Sequence, residues 1–118
     1  MTDEPKDPKL YLVHALECIE RVRSYTSGGR RAFLDSTLIQ DAVYRNFEVI
    51  GEAIKRIPTG VRAMDPAIQW KKIAGLRDVM IHQYEGIDAE LVWSIVERDL
   101  GPLESRLKTL LNRLGGKA

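Results

Sequence analysis

The sequence predicts an all-α protein, an up-and-down bundle of four main helices. Three observations support this: apolar residues recur every three or four positions, capping residues with Gly or Pro separate these segments, and no stretch alternates as a strand would. The chain has 118 residues, 44% of them hydrophobic, and a formal net charge of +1. This length predicts a single domain over residues 1–118, and the balanced charge excludes an overall attraction to nucleic acid or anionic membranes.

The first two helices are bounded by clear start and stop signals. The first is predicted from about Pro8 to Tyr25, because proline suits a first helical turn and apolar residues follow at helical spacing. The segment "SGGRR" ends it. A second helix is predicted with Ser36 as its N-cap, and Pro58 stops it.

The second half of the chain predicts two further long helices. The third is expected to begin with Asp65 as its N-cap and to continue towards His82, with a break near Gly75. Asp88 is the predicted N-cap of the fourth helix. Because Pro102 lacks a backbone donor, the fourth helix is expected to kink or to split in two.

Gly51 lies in the middle of the second predicted helix, where glycine costs about 1 kcal/mol relative to alanine. This cost is tolerated where another backbone must approach closely, so a second helix is expected to cross at Gly51. That helix belongs either to the same bundle or to a second subunit. The sequence leaves both alternatives open.

The rarer residue types exclude several classes of protein. The lone Cys18 cannot form an intramolecular disulfide, which is typical of a reducing cytoplasm, and no Cys/His cluster indicates a metal site. No apolar run approaches the roughly 20 residues of a spanning helix, and the polar N-terminus does not resemble a signal peptide. We therefore expect a cytoplasmic protein without metal or cofactor.

The segment "RDVMIHQYEG", residues 77–86, brings together the residue types of a reaction site. Asp78 and His82 are one helical turn apart, so Asp78 is predicted to hold one ring nitrogen of the histidine. Arg77 and His82, in contrast, lie about 140° apart on a helix. Either the helix unwinds near His82, or two copies of the chain supply the two residues jointly.

Arginine and histidine together suit the cleavage of RNA. A histidine moves protons to or from the 2′-hydroxyl or the leaving oxygen, and an arginine neutralises charge on the phosphorane. The spacing alone is a weak signal, since Arg-x4-His arises often by chance. The alternative reading is the solvated end of a core helix.

Longer stretches of the chain resemble a known family. "RDVMIHQY" resembles the Arg-x4-His-x-Tyr signature of the HEPN superfamily, in particular of the HepT-like toxins. The resemblance runs nearly from end to end. It includes "YLVHALECIERV", "FLDSTLIQDAVYRNFEVIGEA", "WKKIAGLRDVMIHQYEGID" and "LVWSIVERDLGPL". Relatives often carry asparagine after the arginine, where this chain has Asp78.

The resemblance implies a homodimer of HEPN-like helical bundles whose Arg77 and His82 side chains meet in a cleft at the two-fold axis. It implies metal-independent endoribonuclease activity, with Arg77 and His82 as catalytic residues. It further implies the toxin of a type VII-like toxin–antitoxin pair. Its partner would be a minimal nucleotidyltransferase antitoxin that transfers AMP to Tyr84.

Charged residues on the second helix are the candidates for supporting roles. Arg45, Glu48, Glu52 and Arg56 follow one another at helical spacing, which is typical of an exposed charge ladder. The alternative is that Glu52, with Arg45, reaches towards the cleft and orients Arg77 or the substrate.

Two further alternatives remain open at the level of the sequence. Residues 21–31 carry four arginines and no acidic residue, which would suit RNA phosphates or an acidic antitoxin surface, although such a loop is more often only solvated. The whole chain could instead be a non-catalytic helical adaptor that dimerises and binds a nucleotidyltransferase or a nucleotide. The presence of both Arg77 and His82 favours the enzyme.

Overall fold

A computed structural model describes residues 7–82 and 86–115 of the chain. This part contains eight α-helices and no strand, which confirms the all-α prediction. The helices are α1 (Pro8–Tyr25), α2 (Arg30–Leu34), α3 (Thr37–Lys55), α4 (Thr59–Arg62), α5 (Trp70–Ala74), α6 (Leu76–His82), α7 (Ala89–Arg98) and α8 (Leu100–Arg113).

The helices form the predicted four-helix bundle, in which α5 with α6 and α7 with α8 each form one split helix. Helix α3 is central, since it packs against α1, α5, α6 and the short α2, while α8 packs against α1 and α7. The last helix is split at Asp99, and Pro102 lies in the first turn of α8, where its missing N–H group is tolerated. The largest fully buried side chains are those of Phe33, Phe47, Leu12, Ile19, Ile50, Ile54, Leu107, Leu110 and Leu111, with Val22, Val43 and Val92.

Side-chain caps fix the beginnings of three helices. The Asp7 carboxylate accepts a hydrogen bond from the backbone N–H of Lys9 at 2.9 Å, at the start of α1. The Ser36 hydroxyl accepts from Ile39 N–H at 3.1 Å, at the start of α3. Asp88 accepts from two N–H groups at the start of α7. Each cap satisfies a donor that the first helical turn leaves free, and Ser36 and Asp88 are the caps that the sequence predicts.

The predicted start of the third helix is wrong. Helix α5 begins at Trp70 rather than after Asp65, and the carboxylate of Asp65 forms an ion pair with Arg106 Nη1 at 2.9 Å instead of capping a helix. The indole N–H of Trp70 donates to the backbone oxygens of Arg62 and Asp65 at 3.1 and 3.0 Å. These contacts hold residues 63–69 as an irregular segment. The predicted break at Gly75 is confirmed, because this residue separates α5 from α6.

Two short helices, α2 and α4, were not predicted, since five and four residues are too few to show a helical period. Helix α4 has a clear structural role. The guanidinium group of Arg62 donates to the backbone oxygens of Ile57 and Ile54 at 2.9 and 3.0 Å, and so satisfies acceptors at the end of α3.

The composition led to expectations about the lone cysteine and about membrane-spanning helices. Cys18 is buried, and burial raises the pKa of its thiol, which makes it a poor nucleophile. None of the helices in the described parts of the chain has both the length and the apolar content to cross a membrane.

The helix that crosses at Gly51 belongs to the same chain. A Cβ atom at Gly51 would lie 2.6 Å from the backbone nitrogen of Arg77 and 3.2 Å from the backbone oxygen of Ala74. Only a residue without a side chain allows α3 and the start of α6 to approach this closely. The close approach at Gly51 is therefore explained within the bundle and gives no support for a subunit interface.

We predict that Gly51→Ala destabilises the fold although alanine is the better helix former. The new methyl group would meet backbone atoms that cannot rotate away, which costs about 1–3 kcal/mol. The midpoint of urea unfolding, followed by circular dichroism, measures this loss. Gly101→Ala is the matched control, because Gly101 also lies in a helix and a Cβ atom there would have nothing within 4 Å. A Gly51→Ala midpoint equal to or above that of the wild type would contradict the packing described here.

Candidate active site

Arg77 is the second residue of α6, at the point where this helix crosses α3. The contact at Gly51 places it beside Glu52, the next residue of α3. Arg77 Nε lies 2.6 Å from Glu52 Oε2, and the two side chains are 36% and 38% exposed. This charge-assisted contact holds the guanidinium group in one orientation at the surface. Glu52 thus contacts Arg77, and its role in orienting the arginine stays a prediction.

Asp78 contacts the arginine rather than the histidine. Arg77 Nη1 donates to Asp78 Oδ1 at 3.2 Å, and the Asp78 side chain is 61% exposed. Among the described residues, no hydrogen bond or ion pair joins Asp78 to His82, although the two lie one helical turn apart. Glu52 and Asp78 thus contact Arg77 through Nε and Nη1, and in the part of the chain that the structure describes no other carboxylate contacts this guanidinium group.

His82 is exposed and is the last residue of α6. The helix continues as far as this residue, so it does not unwind between Arg77 and His82. Over five residues the two positions are separated by about 140° around the axis and about 7.5 Å along it. One copy of α6 therefore directs these side chains to different parts of its surface.

Arg77, Glu52 and Asp78 form a cluster of charged side chains, and the structure does not bring the third predicted supporting residue to it. Arg45 Nη1 forms its ion pair with Glu48 Oε1 at 3.0 Å, one turn along the same helix. Arg56, which the sequence places at the end of the same charge ladder, does join the cluster, because its Nη2 lies 3.0 Å from Glu52 Oε1. The sequence predicted no functional role for Arg56. Its spacing of four residues from Glu52 was the one indication that the two side chains are neighbours.

Three of the four arginines at residues 21–31 contact acidic residues. Arg23 forms an ion pair with Glu104 of α8, and Arg30 forms one with Glu90 of α7. Arg31 lies 3.7 Å from Asp35. The first two contacts tie α1 and α2 to the last split helix, and the third lies within the end of α2.

Of the two tyrosines that bear on the predicted modification, Tyr44 is described by the structure and Tyr84 is not. Tyr84, the predicted AMP acceptor, lies outside the described residues. Tyr44 of α3 is half-buried, and burial, followed by the nearby carboxylates of Asp41 and Asp88, raises the pKa of its phenol. Tyr44 is therefore a poor nucleophile and a suitable comparison for Tyr84.

A cleft of about 330 Å³ lies close to the cluster but does not include it. Its walls come from α3, α5, α6, α7, α8 and the segment before α5, and its apolar lining includes Ile50, Leu76 and Leu103. Within residues 7–82 and 86–115, no group of three His, Cys, Asp or Glu side chains is arranged to hold a metal ion.

Comparison with protein-family models identifies the family of this chain. The model described as "Ribonuclease HepT-like" matches residues 15–110, which include α3, α6 and the residues of the cluster. The chain belongs to the HepT-like ribonuclease family. This confirms the resemblance seen in the sequence and the ribonuclease class that it implied.

Curated relatives carry names of the same kind. A protein of Methanocaldococcus jannaschii, named gamma-glutamylcyclotransferase and putative RNase, is 40% identical over 110 residues, which are 92% of this chain and 50% of the relative. A putative RNase of Caldanaerobacter subterraneus is 35% identical, covering 92% of this chain and 97% of the relative. A probable ribonuclease HepT of Thermococcus cleftensis is 36% identical, and the match covers 86% of this chain and 94% of the relative. No solved structure matches the chain.

This chain spans half the length of the first of these relatives and nearly all of the other two. Because the match covers only half of the first relative, it does not assign the cyclotransferase part of that relative's name to this chain. The ribonuclease part of the names is what the three relatives share.

Proposed function

We propose that this chain is a metal-independent endoribonuclease that cleaves RNA with Arg77 and His82 and acts as the toxin of a type VII-like toxin–antitoxin pair. Its antitoxin is a minimal nucleotidyltransferase that silences it by transferring AMP to Tyr84. The observation that carries the proposal is the orientation of Arg77, held at the surface by Glu52 at 2.6 Å in a chain of the HepT-like ribonuclease family.

The chemistry follows from the two side chains. His82 removes the proton of a ribose 2′-hydroxyl or donates one to the leaving 5′-oxygen, and water is the partner for the other proton transfer. The 2′-oxygen forms a bond to phosphorus while the bond from phosphorus to the 5′-oxygen breaks, which leaves a 2′,3′-cyclic phosphate. Negative charge grows on the phosphoryl oxygens during this step. The N–H groups of Arg77 that do not contact Glu52 or Asp78 stabilise that charge, and because these two carboxylates already orient the guanidinium group, it needs little rearrangement.

Two copies of the chain form the active cleft. The separation of about 140° between Arg77 and His82 on a regular helix supports this, because one α6 does not aim both side chains at the same phosphate. In a two-fold symmetric dimer, Arg77 of one chain faces His82 of the other, and the cleft contains two such pairs. The chain has a mass of 13.4 kDa, so the active species is a dimer of twice that mass.

We predict that Arg77→Ala and His82→Ala each reduce RNA cleavage by about 10² to 10⁴ while the fold stays intact, since neither side chain is buried in the core. Equal amounts of the two inactive variants, unfolded and refolded together, are expected to recover about a quarter of the wild-type rate, because half of the dimers are mixed and each has one intact pair. Cleavage of a fluorescent RNA measures both effects.

Each variant refolded with itself is the control for this experiment. Light scattering checks that every sample is a dimer, and circular dichroism checks that it is helical. Full activity of either single variant would contradict the catalytic roles. Mixed samples that remain inactive, or wild-type protein that is monomeric and active, would contradict the shared cleft.

The modification of Tyr84 gives a second prediction. When the chain is expressed with the nucleotidyltransferase encoded beside it, its intact mass is expected to increase by one or more AMP units. The attached phosphate would place a bulky anion near His82 and block RNA by charge and by size. Tyr84→Phe removes the acceptor oxygen, so this variant is expected to keep its unmodified mass and its activity.

Tyr44→Phe is the matched control, since burial raises the pKa of this second phenol, and this variant is expected to gain AMP like the wild type. An equal gain of mass on Tyr84→Phe, or none on the wild type, would show that Tyr84 is not the acceptor.

A further inference from the structure

The carboxylate of Glu52 binds two arginines at once. Its Oε2 atom lies 2.6 Å from Arg77 Nε, and its Oε1 atom lies 3.0 Å from Arg56 Nη2. Each oxygen takes a different guanidinium group, so only one carboxylate separates the two. The arginine of the proposed reaction therefore has a second arginine as its close neighbour.

Arg56 is the more accessible of the two arginines. Its side chain is 56% exposed, compared with 36% for Arg77. A guanidinium group has five N–H donors, and the hydrogen bond to Glu52 uses one of them. An exposed pair of this spacing on a helix is worth only a few tenths of a kcal/mol, so Glu52 does not prevent Arg56 from binding a stronger acceptor.

The end of α3 is basic around this arginine. Lys55 is exposed beside Arg56, and Arg62 places a third positive charge on the backbone oxygens at the same helix end. The two carboxylates of the cluster, Glu52 and Asp78, balance only part of this charge. The basic residues of the whole chain, in contrast, are nearly matched by acidic ones. The excess of positive charge at this helix end attracts an anion.

We propose that Arg56 binds a phosphate group of the RNA strand, next to the phosphate on which Arg77 acts. This subsite rests on the proposed ribonuclease activity and deepens it. The two guanidinium groups share one carboxylate, and a single RNA strand presents phosphates one after another at short intervals. A strand whose reacting phosphate lies at Arg77 thus brings its next phosphate towards Arg56. Arg56 acts in binding and takes no part in the chemical step.

A purely structural role for Arg56 makes different predictions. As a cation at the end of α3, it also interacts favourably with the helix dipole and with Glu52. Loss of these interactions would lower the stability of the fold. It would not change the dependence of RNA binding on salt, because no counterion of the RNA would be involved.

The test compares Arg56→Gln with the wild type in two measurements. The first is binding of a single-stranded RNA oligonucleotide with 2′-O-methyl groups, which lacks the attacking hydroxyl, over a series of salt concentrations. We expect binding about tenfold weaker, since a hydrogen bond to a charged group is lost, and a slope of log affinity against log salt smaller by about 0.7. The second is cleavage of an unmodified RNA, for which KM is expected to rise about tenfold with kcat nearly unchanged.

Two further variants serve as controls. Arg98→Gln removes the same charge from an exposed position of α7 and is expected to leave affinity, slope and KM unchanged. Arg56→Lys keeps the charge and is expected to recover most of the affinity and the slope. Circular dichroism checks that each variant is folded. If Arg56→Gln does not fold, Arg56→Lys is compared with the wild type instead.

The outcomes separate the two proposals. A wild-type protein that cleaves RNA, together with an Arg56→Gln variant that behaves like Arg98→Gln, would overturn the subsite and leave the ribonuclease in place. A wild-type protein that binds the oligonucleotide but cleaves no RNA would instead contradict the proposed function. Weaker binding and a smaller slope in Arg56→Gln alone support the subsite.

Discussion

The crossing of α3 and α6 at Gly51 is the constraint on which the candidate site depends. The backbone of Arg77 lies so close to α3 that a single Cβ atom would collide with it at 2.6 Å. Because of this contact, the next residue of α3, Glu52, reaches the guanidinium group of Arg77 at 2.6 Å. A rigid contact between two helices thus becomes a fixed orientation for one exposed cation, which is what stabilisation of a developing negative charge requires.

The charged side chains around this crossing differ in function from those that connect the helices of the bundle. Glu52 and Asp78 bind Arg77 from two directions, and Glu52 also binds Arg56. The arginines near the end of α1, in contrast, pair with acidic residues of the last split helix and so serve the bundle. Exposed positive charge is also present where α3 ends, at Lys55 and Arg56, beside the arginine of the Arg-x4-His spacing.

The long helices were predictable from the sequence, whereas the two short helices and several contacts were not. Caps such as Ser36 and the break at Gly75 are local features, so the sequence predicted them correctly. The irregular segment before Trp70 was missed because it depends on an ion pair between Asp65 and Arg106, which are 41 residues apart. The role of Arg56 was missed for the same reason. Spacing shows that it is near Glu52, but only the folded chain shows that Glu52 is also near Arg77.

The exchange of the Arg77 Nε–H proton with water tests the central contact directly. In ¹H–¹⁵N spectra of the wild-type protein, the ion pair with Glu52 at 2.6 Å is expected to make this proton exchange more slowly than that of the exposed Arg98. Glu52→Gln is expected to abolish the difference, and Glu48→Gln, which removes the partner of Arg45, is expected to leave it unchanged. An Arg77 Nε–H that exchanges as fast as that of Arg98 in the wild type, or that Glu52→Gln does not affect, would contradict this account.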